Sequence, residues 1–347
     1  NTLIHDYAYD PRGKILHESA TLNGKKALVS YKYDALGRVS RKLYGTDETE
    51  HIVAVSLTYN MQGWETGRIV TISDNNEAYR SRLTYYDTTK DAVPNYIGNI
   101  SSWSWTRDGS SETSYHYLYD ENNRVHAAEE YENGVHNLQN TERCIEYDKN
   151  GNILAMTRIL GGESKHLTFT YDGNHRSGND YMYDLGGNIE ADLESTTMAQ
   201  YNFLNLPKIL LGGQGRELVN NYYLSDGTKV KSDMTRSHKG YYYVGPFRYK
   251  RDEDGAYSLD KVRFGGGEII ADSTGRLGVA FIITDHLESV RLKVNEDGEI
   301  IGSYDYLPYG MLASTSSGLG KDNATLLQKN ILPSALTPTA PETLSIL

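Results

Sequence analysis

Apolar and polar residues alternate along short stretches of this chain, with the period of two that is typical of half-buried β-strands. Ala27, Val29 and Tyr31 share one face of such a stretch, and residues 53–59 repeat the pattern. Turn-forming residues separate these stretches, and the first six turns begin at positions 10, 23, 34, 47, 60 and 74. No helical period is visible in residues 1–310. The pattern predicts an antiparallel meander of about twenty strands.

A repeated unit underlies many of these turns: Tyr, Asp or Asn, two variable residues, Gly or Asn, one further residue, then Ile or Val. The Asp side chain can accept bonds from backbone N–H groups ahead of it, and Gly or Asn at the fourth turn position can adopt a positive φ. Such a turn closes a hairpin with a bulge, which places each Tyr opposite the Ile or Val. The clearest copies contain Tyr9, Asp10 and Gly13; Tyr33, Asp34 and Gly37; Tyr119, Asp120 and Asn123; Tyr147, Asp148 and Gly151; and Tyr183, Asp184 and Gly187.

The repeat also limits the possible architecture. A cross-strand pair contributes only about 0.2–1 kcal/mol, and isolated hairpins are marginally stable, so the hairpins must stack side by side. Because open sheets of more than about ten strands curl or split, we expect an all-β fold: a long antiparallel meander rolled into a spiral shell or a barrel-like sheet. A β-propeller is the alternative, although the connections show no alternation with the period of a four-stranded blade.

Composition and charge narrow the class of partner. The chain has 29 Tyr against 5 Phe, which suits a thin sheet whose two faces both meet water. Its net charge of −11 argues against a nucleic-acid partner or an anionic membrane surface. No apolar run approaches the roughly 20 residues of a membrane span, and a single Cys excludes an internal disulfide framework. The chain opens in mid-pattern, so we expect it to be part of a longer protein.

The Tyr-Asp-x-x-Gly unit resembles the YD repeat of Rhs (rearrangement hot spot) proteins, teneurins and Tc toxin C components. Residues 201–209 and 223–230 resemble two further landmarks of that family, the "YNYLNLP" and "YDADGTKL" segments. Residues 284–310 resemble the Rhs-associated core signature, and the combination is most similar to wall-associated Rhs proteins of Bacteroides-type bacteria. The positions that carry the core signature are Asp285, His286, Arg291, Tyr304, Asp305, Pro308 and Gly310.

The resemblance implies a sheet that spirals into a hollow shell, which encloses a C-terminal effector in the toxin members. It suggests a YD-repeat array in residues 1–200 and a core segment in 201–310 that continues the same sheet. Residues 311–347 are expected to form a Ser- and Pro-containing tail, irregular or partly ordered, and too short for an effector domain. Glu288 replaces the family's Gly in the core signature, which puts the local turn in doubt.

Two positions have the residue types of catalytic groups. Asp285 and His286 are adjacent in sequence, so their side chains should point to opposite faces of a strand, and a structural corner is favoured over a catalytic pair. Cys144 lies in a segment that alternates as a strand, and we expect a small buried core residue rather than a nucleophile.

Cation and phosphate sites are also not favoured. The acidic residues Asp252, Glu253, Asp254 and Asp260 lack the ligand spacing of a calcium loop, which indicates a solvated hairpin tip. The glycine run 265–267 is not followed by the Lys-Ser/Thr of a phosphate-binding loop, and it indicates a bulge or a close backbone approach. No catalytic residue, cofactor or metal site is predicted.

Trp103 and Trp105 are the most interesting residues for binding. Two residues apart on a strand, they would present their rings on one face about 7 Å apart, which could form a stacking platform for sugar rings. The alternative is that they anchor the interior of the sheet.

The sequence thus favours a non-enzymatic structural or encapsulation shell of a large secreted or surface-attached Rhs-type protein. Its partner would be the protein's own C-terminal effector domain. The alternative is a carbohydrate-binding module of the cell surface or cell wall, with glycans as partners. Unpaired strand edges also predict self-association.

Overall fold

The structure is a computed structural model, and it describes residues 2–73, 76–86, 92–178, 181–193 and 195–317. This part of the chain contains thirty strands, numbered below in chain order, and one short 3-10 helix at Gly213–Gly215. The described residues include no helix that is long and apolar enough to cross a membrane.

The first large sheet contains the strands of the N-terminal half. They are β1 (Leu3–Tyr9), β2 (Ile15–Leu22), β3 (Lys25–Tyr33), β4 (Val39–Gly45), β5 (Val53–Tyr59), β6 (Glu65–Ile72), β7 (Asn76–Thr84), β8 (Ser102–Arg107), β9 (Thr113–Tyr119), β10 (Val125–Glu132), β11 (Val135–His136), β12 (Asn140–Tyr147), β13 (Ile153–Leu160) and β14 (Glu163–Thr168).

A two-stranded sheet and a second large sheet follow. The short pair is β15 (Thr170–Asp172) and β16 (His175–Ser177). The large sheet contains β17 (Tyr181–Tyr183), β18 (Ile189–Asp192), β19 (Thr197–Tyr201), β20 (Pro207–Gly212), β21 (Arg216–Tyr223), β22 (Lys229–Met234), β23 (Gly240–Val244), β24 (Phe247–Arg251), β25 (Tyr257–Phe264), β26 (Gly267–Ala271), β27 (Leu277–Thr284), β28 (Val290–Asn295), β29 (Ile300–Tyr306) and β30 (Leu312–Ser317).

Strands in each large sheet are neighbours in the order of the sequence, apart from the two-residue strand β11, which pairs only with β10. The pairings are antiparallel, as the hairpin pattern requires. The prediction of a long all-β antiparallel meander is confirmed. Both large sheets contain fourteen strands rather than the four of a propeller blade. The strands outnumber the predicted twenty because short ones, such as β11 and β15, show no clear alternation.

The chain divides into two compact units, with boundaries between Thr168 and Phe169 and between Val279 and Ala280. In the described part, the first unit contains residues 2–168 and 280–317, and the second contains residues 169–279. The predicted boundary at residue 200 separates a YD-repeat array from a core segment by sequence type and not by compactness. That division stays a prediction.

Each unit has apolar side chains that its own strands bury. In the first unit, Tyr44 of β4 packs against Phe281 of β27 with ring centroids 5.8 Å apart. Burial of one large apolar side chain stabilises a fold by about 1.5–3 kcal/mol, so contacts of this kind join strands that are distant in sequence. In the second unit, Ala199 and Leu210 form a buried cluster, and Tyr201 packs against it.

The turns between strands share one backbone pattern. In thirteen hairpins of the described residues, the first turn residue donates its N–H to the carbonyl four positions on, and the fourth donates back to the first. Asp10 N–H, for example, donates to Lys14 O at 2.8 Å, and Gly13 N–H donates to Asp10 O at 3.0 Å. The thirteen turns begin at Asp10, Asp34, Asn60, Asp120, Asp148, Asp184, Asn202, Leu224, Asp252, Asp272, Asp285, Asn295 and Leu307.

The predicted register of these hairpins is confirmed: Tyr9 pairs with Ile15, and Tyr147 pairs with Ile153. The doubtful turn at Glu288 also forms. Glu288 adopts the left-handed conformation with φ 62° and donates its N–H to Asp285 O at 3.1 Å. The turn therefore accepts a residue with a Cβ, at a cost in backbone strain.

The predicted tail begins with ordered structure. Leu312–Ser317 form β30, which pairs with β29 and ends the second large sheet. The remaining part of the predicted tail, residues 318–347, lies outside the described residues.

Candidate functional site

The repeat tyrosines form a ladder of hydrogen bonds between successive hairpins. Tyr33 Oη donates to Ile15 O at 2.8 Å, and Tyr59 Oη donates to Val39 O at 2.8 Å. The accepting residue lies directly after the turn of the preceding repeat. Phe could fill the same space but could not donate this bond. The same contact is made by Tyr85 to Glu65, Tyr147 to Val125, Tyr201 to Ile189 and Tyr223 to Pro207.

A basic residue before the Ile or Val reinforces this ladder. The Arg38 guanidinium lies 4.7 Å from the centroid of the Tyr59 ring and donates to Asn60 O at 3.1 Å. The Arg124 guanidinium lies 4.4 Å from the Tyr147 ring and donates to Asp148 O at 3.0 Å. Each cation thus joins its own turn to the next one along the sheet, and it adds a cation–π contact to the tyrosine of that next turn.

The turn aspartates are held in their charged form. The Asp34 carboxylate accepts the N–H groups of Leu36 and Arg38, each at 2.9 Å. The backbone hydrogen bond from Arg38 lowers the pKa of Asp34, and the Arg38 side chain lowers it further. Asp120 repeats this arrangement with Arg124. These carboxylates close turns, as the sequence pattern predicts.

The core signature contributes a buried ion-pair network in the first unit. Arg291 is 1% exposed and donates through Nε to Asp285 at 2.8 Å and through Nη1 to Asp305 at 3.2 Å. Arg107 of β8 donates two bonds to the Asp305 carboxylate, at 2.7 and 3.0 Å. We call Asp285, Arg291, Asp305, Arg107 and Trp103 the core-signature cluster. Within this cluster both carboxylates and both guanidinium groups are paired.

The two tryptophans of β8 lie beside this network. Trp103 and Trp105 are only 3% and 6% exposed, and their ring centroids are 4.7 Å apart. The Arg291 guanidinium lies 4.4 Å from the Trp103 ring and 5.4 Å from the Trp105 ring. Stacking on a sugar requires an open ring face, whereas these rings are buried against a guanidinium group. The geometry therefore favours their role as anchors of the sheet interior.

The adjacent Asp285 and His286 do not pair with each other. The Asp285 carboxylate accepts the N–H groups of Leu287 and Ser289, at 2.9 and 3.0 Å, in addition to Arg291 Nε. The His286 ring contacts the Trp103 ring edge-on, with centroids 4.9 Å apart. Burial lowers the pKa of His286 to about 4, so the imidazole is neutral at pH 7. Asp285 thus caps a turn and pairs with a guanidinium group.

The end of the core signature makes a second buried contact. Tyr309 N–H donates to Glu142 Oε2 at 2.8 Å, and the Tyr309 and Tyr147 hydroxyls lie 2.5 Å apart. Glu142 is fully buried and also accepts Arg158 Nε at 2.7 Å. Burial raises the pKa of Glu142, while Arg158 opposes that rise. Sequence reasoning missed Glu142 and Arg158, because nothing near them in the sequence indicates a buried ion pair.

The other positions of the signature support these contacts. The Tyr304 carbonyl accepts from Arg107 at 3.4 Å and from Arg291 at 3.5 Å. Pro308 lies in the turn between β29 and β30, and Gly310 takes the left-handed position of that turn with φ 82°. The signature residues therefore build the turns that follow β27 and β29 and the ion pairs beside them.

The structure contradicts the prediction that Cys144 is a buried core residue. Its side chain is exposed, whereas the neighbouring Ile145 is 2% exposed. Cys144 has φ 52°, and the register between β12 and β13 shifts between Arg143 and Glu146. This bulge interrupts the alternation on which the prediction of a buried cysteine rested, so that prediction was wrong.

The acidic residues near β24 take part in turns and ion pairs. Asp252 begins one of the thirteen turns, Glu253 lies 3.3 Å from Lys239, and Asp260 accepts Arg248 Nε at 2.5 Å. Asp254 accepts the N–H of Ala256 within the same turn. In the described part of the chain, no group of three or more His, Cys, Asp or Glu residues could hold a metal ion.

The glycine run forms a tight connection between two strands. Phe264 of β25 pairs with Gly267 of β26, which leaves only two residues for the turn. Glycine suits such a two-residue hairpin loop.

Comparison with solved structures finds similar folds. "Crystal Structure of TcdB2-TccC3-Cdc42" is similar with a TM-score of 0.73 and 16% sequence identity, and the match covers 91% of this chain and 17% of that chain. "Crystal Structure of TcdB2-TccC3" is similar with a TM-score of 0.72 and 16% identity over 91% of this chain and 18% of that chain. No family model and no curated protein matches the sequence.

At 16% identity, this similarity shows the fold alone. It supports an Rhs-like fold, as the YD repeat and the core signature suggest. The chain spans less than a fifth of the length of these two proteins. The relation to wall-associated proteins of Bacteroides-type bacteria stays a prediction.

Proposed function

We propose that this chain is a non-enzymatic wall segment of a larger, toxin-related shell. The observation that carries the proposal is the hydrogen-bond ladder, in which Tyr33, Tyr59 and Tyr147 each donate to the backbone of the preceding hairpin. Such a ladder extends a sheet by adding identical units, because each hairpin offers the next one the same acceptor. The similarity to TcdB2-TccC3 supports this role at the level of the fold.

The charged groups of the core-signature cluster also suit a structural role. Catalysis requires groups that can reach a substrate, whereas Arg291 and Asp285 are buried and paired with each other. Asp305 is shared between Arg291 and Arg107. The cluster therefore stabilises a corner of the wall, which is consistent with a chain that performs no reaction itself.

The proposed partner of the shell is an effector segment of the same protein. One similar structure is "Crystal Structure of TcdB2-TccC3 without hypervariable C-terminal region", so that protein has a hypervariable region at its C-terminus. By analogy, we place the complete protein in a secreted or surface-attached system in which the wall encloses such a segment.

Limited proteolysis of the protein encoded by the complete gene tests this proposal. We expect the segment downstream of this chain to resist trypsin in the intact protein and to be digested rapidly when it is expressed alone. The variant Arg291→Met, which opens the core-signature cluster, should increase cleavage of the downstream segment. Arg80→Met changes an exposed arginine of β7 and serves as the control.

Equal digestion of the downstream segment inside and outside the intact protein would contradict encapsulation. A complete gene that encodes no downstream segment would also contradict it. Mass spectrometry of the cleavage products distinguishes cuts in this chain from cuts in the enclosed segment.

A further inference from the structure

A cavity of about 260 Å³ lies against strands β3–β6 of the first unit. Three basic side chains line it, those of Lys32, Arg41 and His51, together with the polar residues Thr71 and Ser73. Among its lining residues in the described part of the chain there is no carboxylate. The volume is below the roughly 300–1,000 Å³ of sites that enclose drug-sized ligands, so the cavity suits a small group.

Two of the basic residues lie unfavourably close to each other. Lys32 of β3 and Arg41 of β4 are direct cross-strand partners, and like charges in this position repel each other. In the described residues, neither side chain has an ion pair. Among the described residues, the buried Arg41 Nε atom also has no hydrogen-bond partner. A buried guanidinium donor without an acceptor is costly, so the Arg41 side chain is held beside the cavity without a protein group that compensates its charge.

The cavity is separate from the core-signature cluster. Side chains of a strand alternate between its two faces, and Tyr44 packs inward against Phe281. Arg41 and Leu43 therefore lie on the opposite face of β4, and Ala54 continues that face on β5 as the partner of Leu43. The apolar floor of the cavity comes from Leu43 and Ala54, which are 4% and 8% exposed.

The pKa of His51 reflects the same positive charges. Burial lowers the pKa of His51, and the positive charges of Arg41 and Lys32 lower it further. Asp47 acts in the opposite direction, but its carboxylate already accepts the N–H groups of Thr49 and Glu50, each at 2.8 Å. The positive potential in the cavity is therefore only partly compensated, although the chain as a whole has a net charge of −11.

We propose that this cavity is a binding site for a small oxyanion: phosphate, sulfate or a carboxylate. Arg41 is the principal ligand, since a guanidinium group can donate two parallel bonds to such an anion. Lys32 contributes a second positive charge, and the hydroxyls of Thr71 and Ser73 contribute neutral donors. The proposal does not depend on the shell function, because it concerns one face of four strands.

Isothermal titration of the purified chain at low ionic strength tests the site. Sodium phosphate, sodium sulfate and sodium acetate are the probes, and sodium chloride at matched ionic strength is the reference. We expect saturable binding of at least one oxyanion at one site. Arg41→Gln should weaken that binding about tenfold or more, because it removes charge-assisted hydrogen bonds. Lys32→Gln, on an exposed side chain, should weaken it by a smaller factor.

The control is Arg80→Gln, which removes the same charge from an arginine that is paired with Glu77 outside the cavity. Circular dichroism checks the fold of each variant, and Lys32→Gln alone decides the outcome if Arg41→Gln does not fold.

A hexaglutamate peptide shows the source of the anion. Tighter binding of the peptide than of phosphate assigns the site to an acidic protein segment, and weaker binding of the peptide assigns it to phosphate. Both results support an oxyanion site. No saturable binding to the unmodified chain, or equal weakening by Arg80→Gln, would overturn it.

Discussion

The hydroxyl group of each ladder tyrosine satisfies a backbone carbonyl of the preceding repeat. Tyr59 illustrates this role, since its ring lies under Arg38 and its hydroxyl bonds to Val39 O. Part of the excess of Tyr over Phe thus follows from a hydrogen bond that recurs along the sheet. The sequence pattern predicted where these tyrosines lie but assigned their hydroxyls to water. Only the distance to the preceding hairpin shows that the acceptor is a protein carbonyl.

Tyr59→Phe should lower the free energy of unfolding by about 0.5–1.5 kcal/mol, the usual contribution of one hydrogen bond. Tyr7→Phe is the matched control, because Tyr7 is 48% exposed and its ring only stacks on neighbours. Urea denaturation of the two variants measures the difference. An effect of Tyr59→Phe no larger than that of Tyr7→Phe would contradict the ladder.

His286 gives the fold a dependence on pH. Burial lowers the pKa of His286 to about 4 from an ordinary 6.5, so the unfolded chain binds a proton in a range where the folded chain does not. Stability must therefore fall as the pH drops from about 6.5 to about 4. Between pH 7 and pH 4.5, the free energy of unfolding of His286→Gln should therefore fall by about 2–3 kcal/mol less than that of the unmodified chain.

Denaturant unfolding at both pH values measures this effect for the unmodified chain, for His286→Gln and for a control. His166→Gln is the control, because His166 is an exposed residue of β14. If His286→Gln and the unmodified chain lose the same stability between the two pH values, His286 is not buried in its neutral form.

Turns are the elements that the sequence predicts best. The turns and bulges that it did not predict depart from the repeat in one residue. The Asp-x-x-Gly copies stand out, since each residue has a local reason for its position. Sequence reasoning did not count the turns that begin at Leu224 and Leu307 as copies of the repeat, because Leu replaces Asp there. The bulge at Cys144 was also missed. One extra residue in a strand reverses which side chains face the interior, and the residue types of the segment give no sign of it.

The turn at Glu288 contains a residue whose side chain opposes its conformation. A left-handed residue with a Cβ costs about 1–2 kcal/mol, while glycine loses about 0.5–1 kcal/mol more entropy than alanine on folding. Glu288→Gly should therefore raise the free energy of unfolding by up to about 1 kcal/mol. Leu287→Gly, at the neighbouring turn position, should give no gain. Thermal unfolding of both variants tests this, and a loss of stability in Glu288→Gly would contradict the strain.

On the scale of the whole molecule, stability of the first unit depends on contacts between residues far apart in sequence. Trp103 and Arg291 are 188 positions apart, yet the guanidinium group stacks on the indole. Sequence reasoning singled out both residues but could not bring them together, since a strand pattern shows neighbours and not distant packing. It therefore left the two tryptophans open to a binding role that their burial does not favour.

Arg291→Met should lower the free energy of unfolding by about 3–5 kcal/mol, because Asp285 would remain buried without its partner. Arg291→Lys should restore little of this loss, since an ammonium group cannot reproduce the planar contacts of a guanidinium with two carboxylates and an aromatic ring. Arg80→Met, at an exposed ion pair, should cost less than about 1 kcal/mol. Equal costs for Arg291→Met and Arg80→Met would contradict the importance of the cluster.

The central proposal, that this chain is one segment of a longer shell wall, has a direct structural test. In the described residues, strand β1 pairs only with β2, so its other edge offers free backbone groups. Electron cryomicroscopy of the protein encoded by the complete gene would show what lies there. We predict further YD-repeat strands hydrogen-bonded to β1 in a continuous wall around an enclosed cavity. A map in which the β1 edge is free and the sheets enclose no cavity would contradict the proposal.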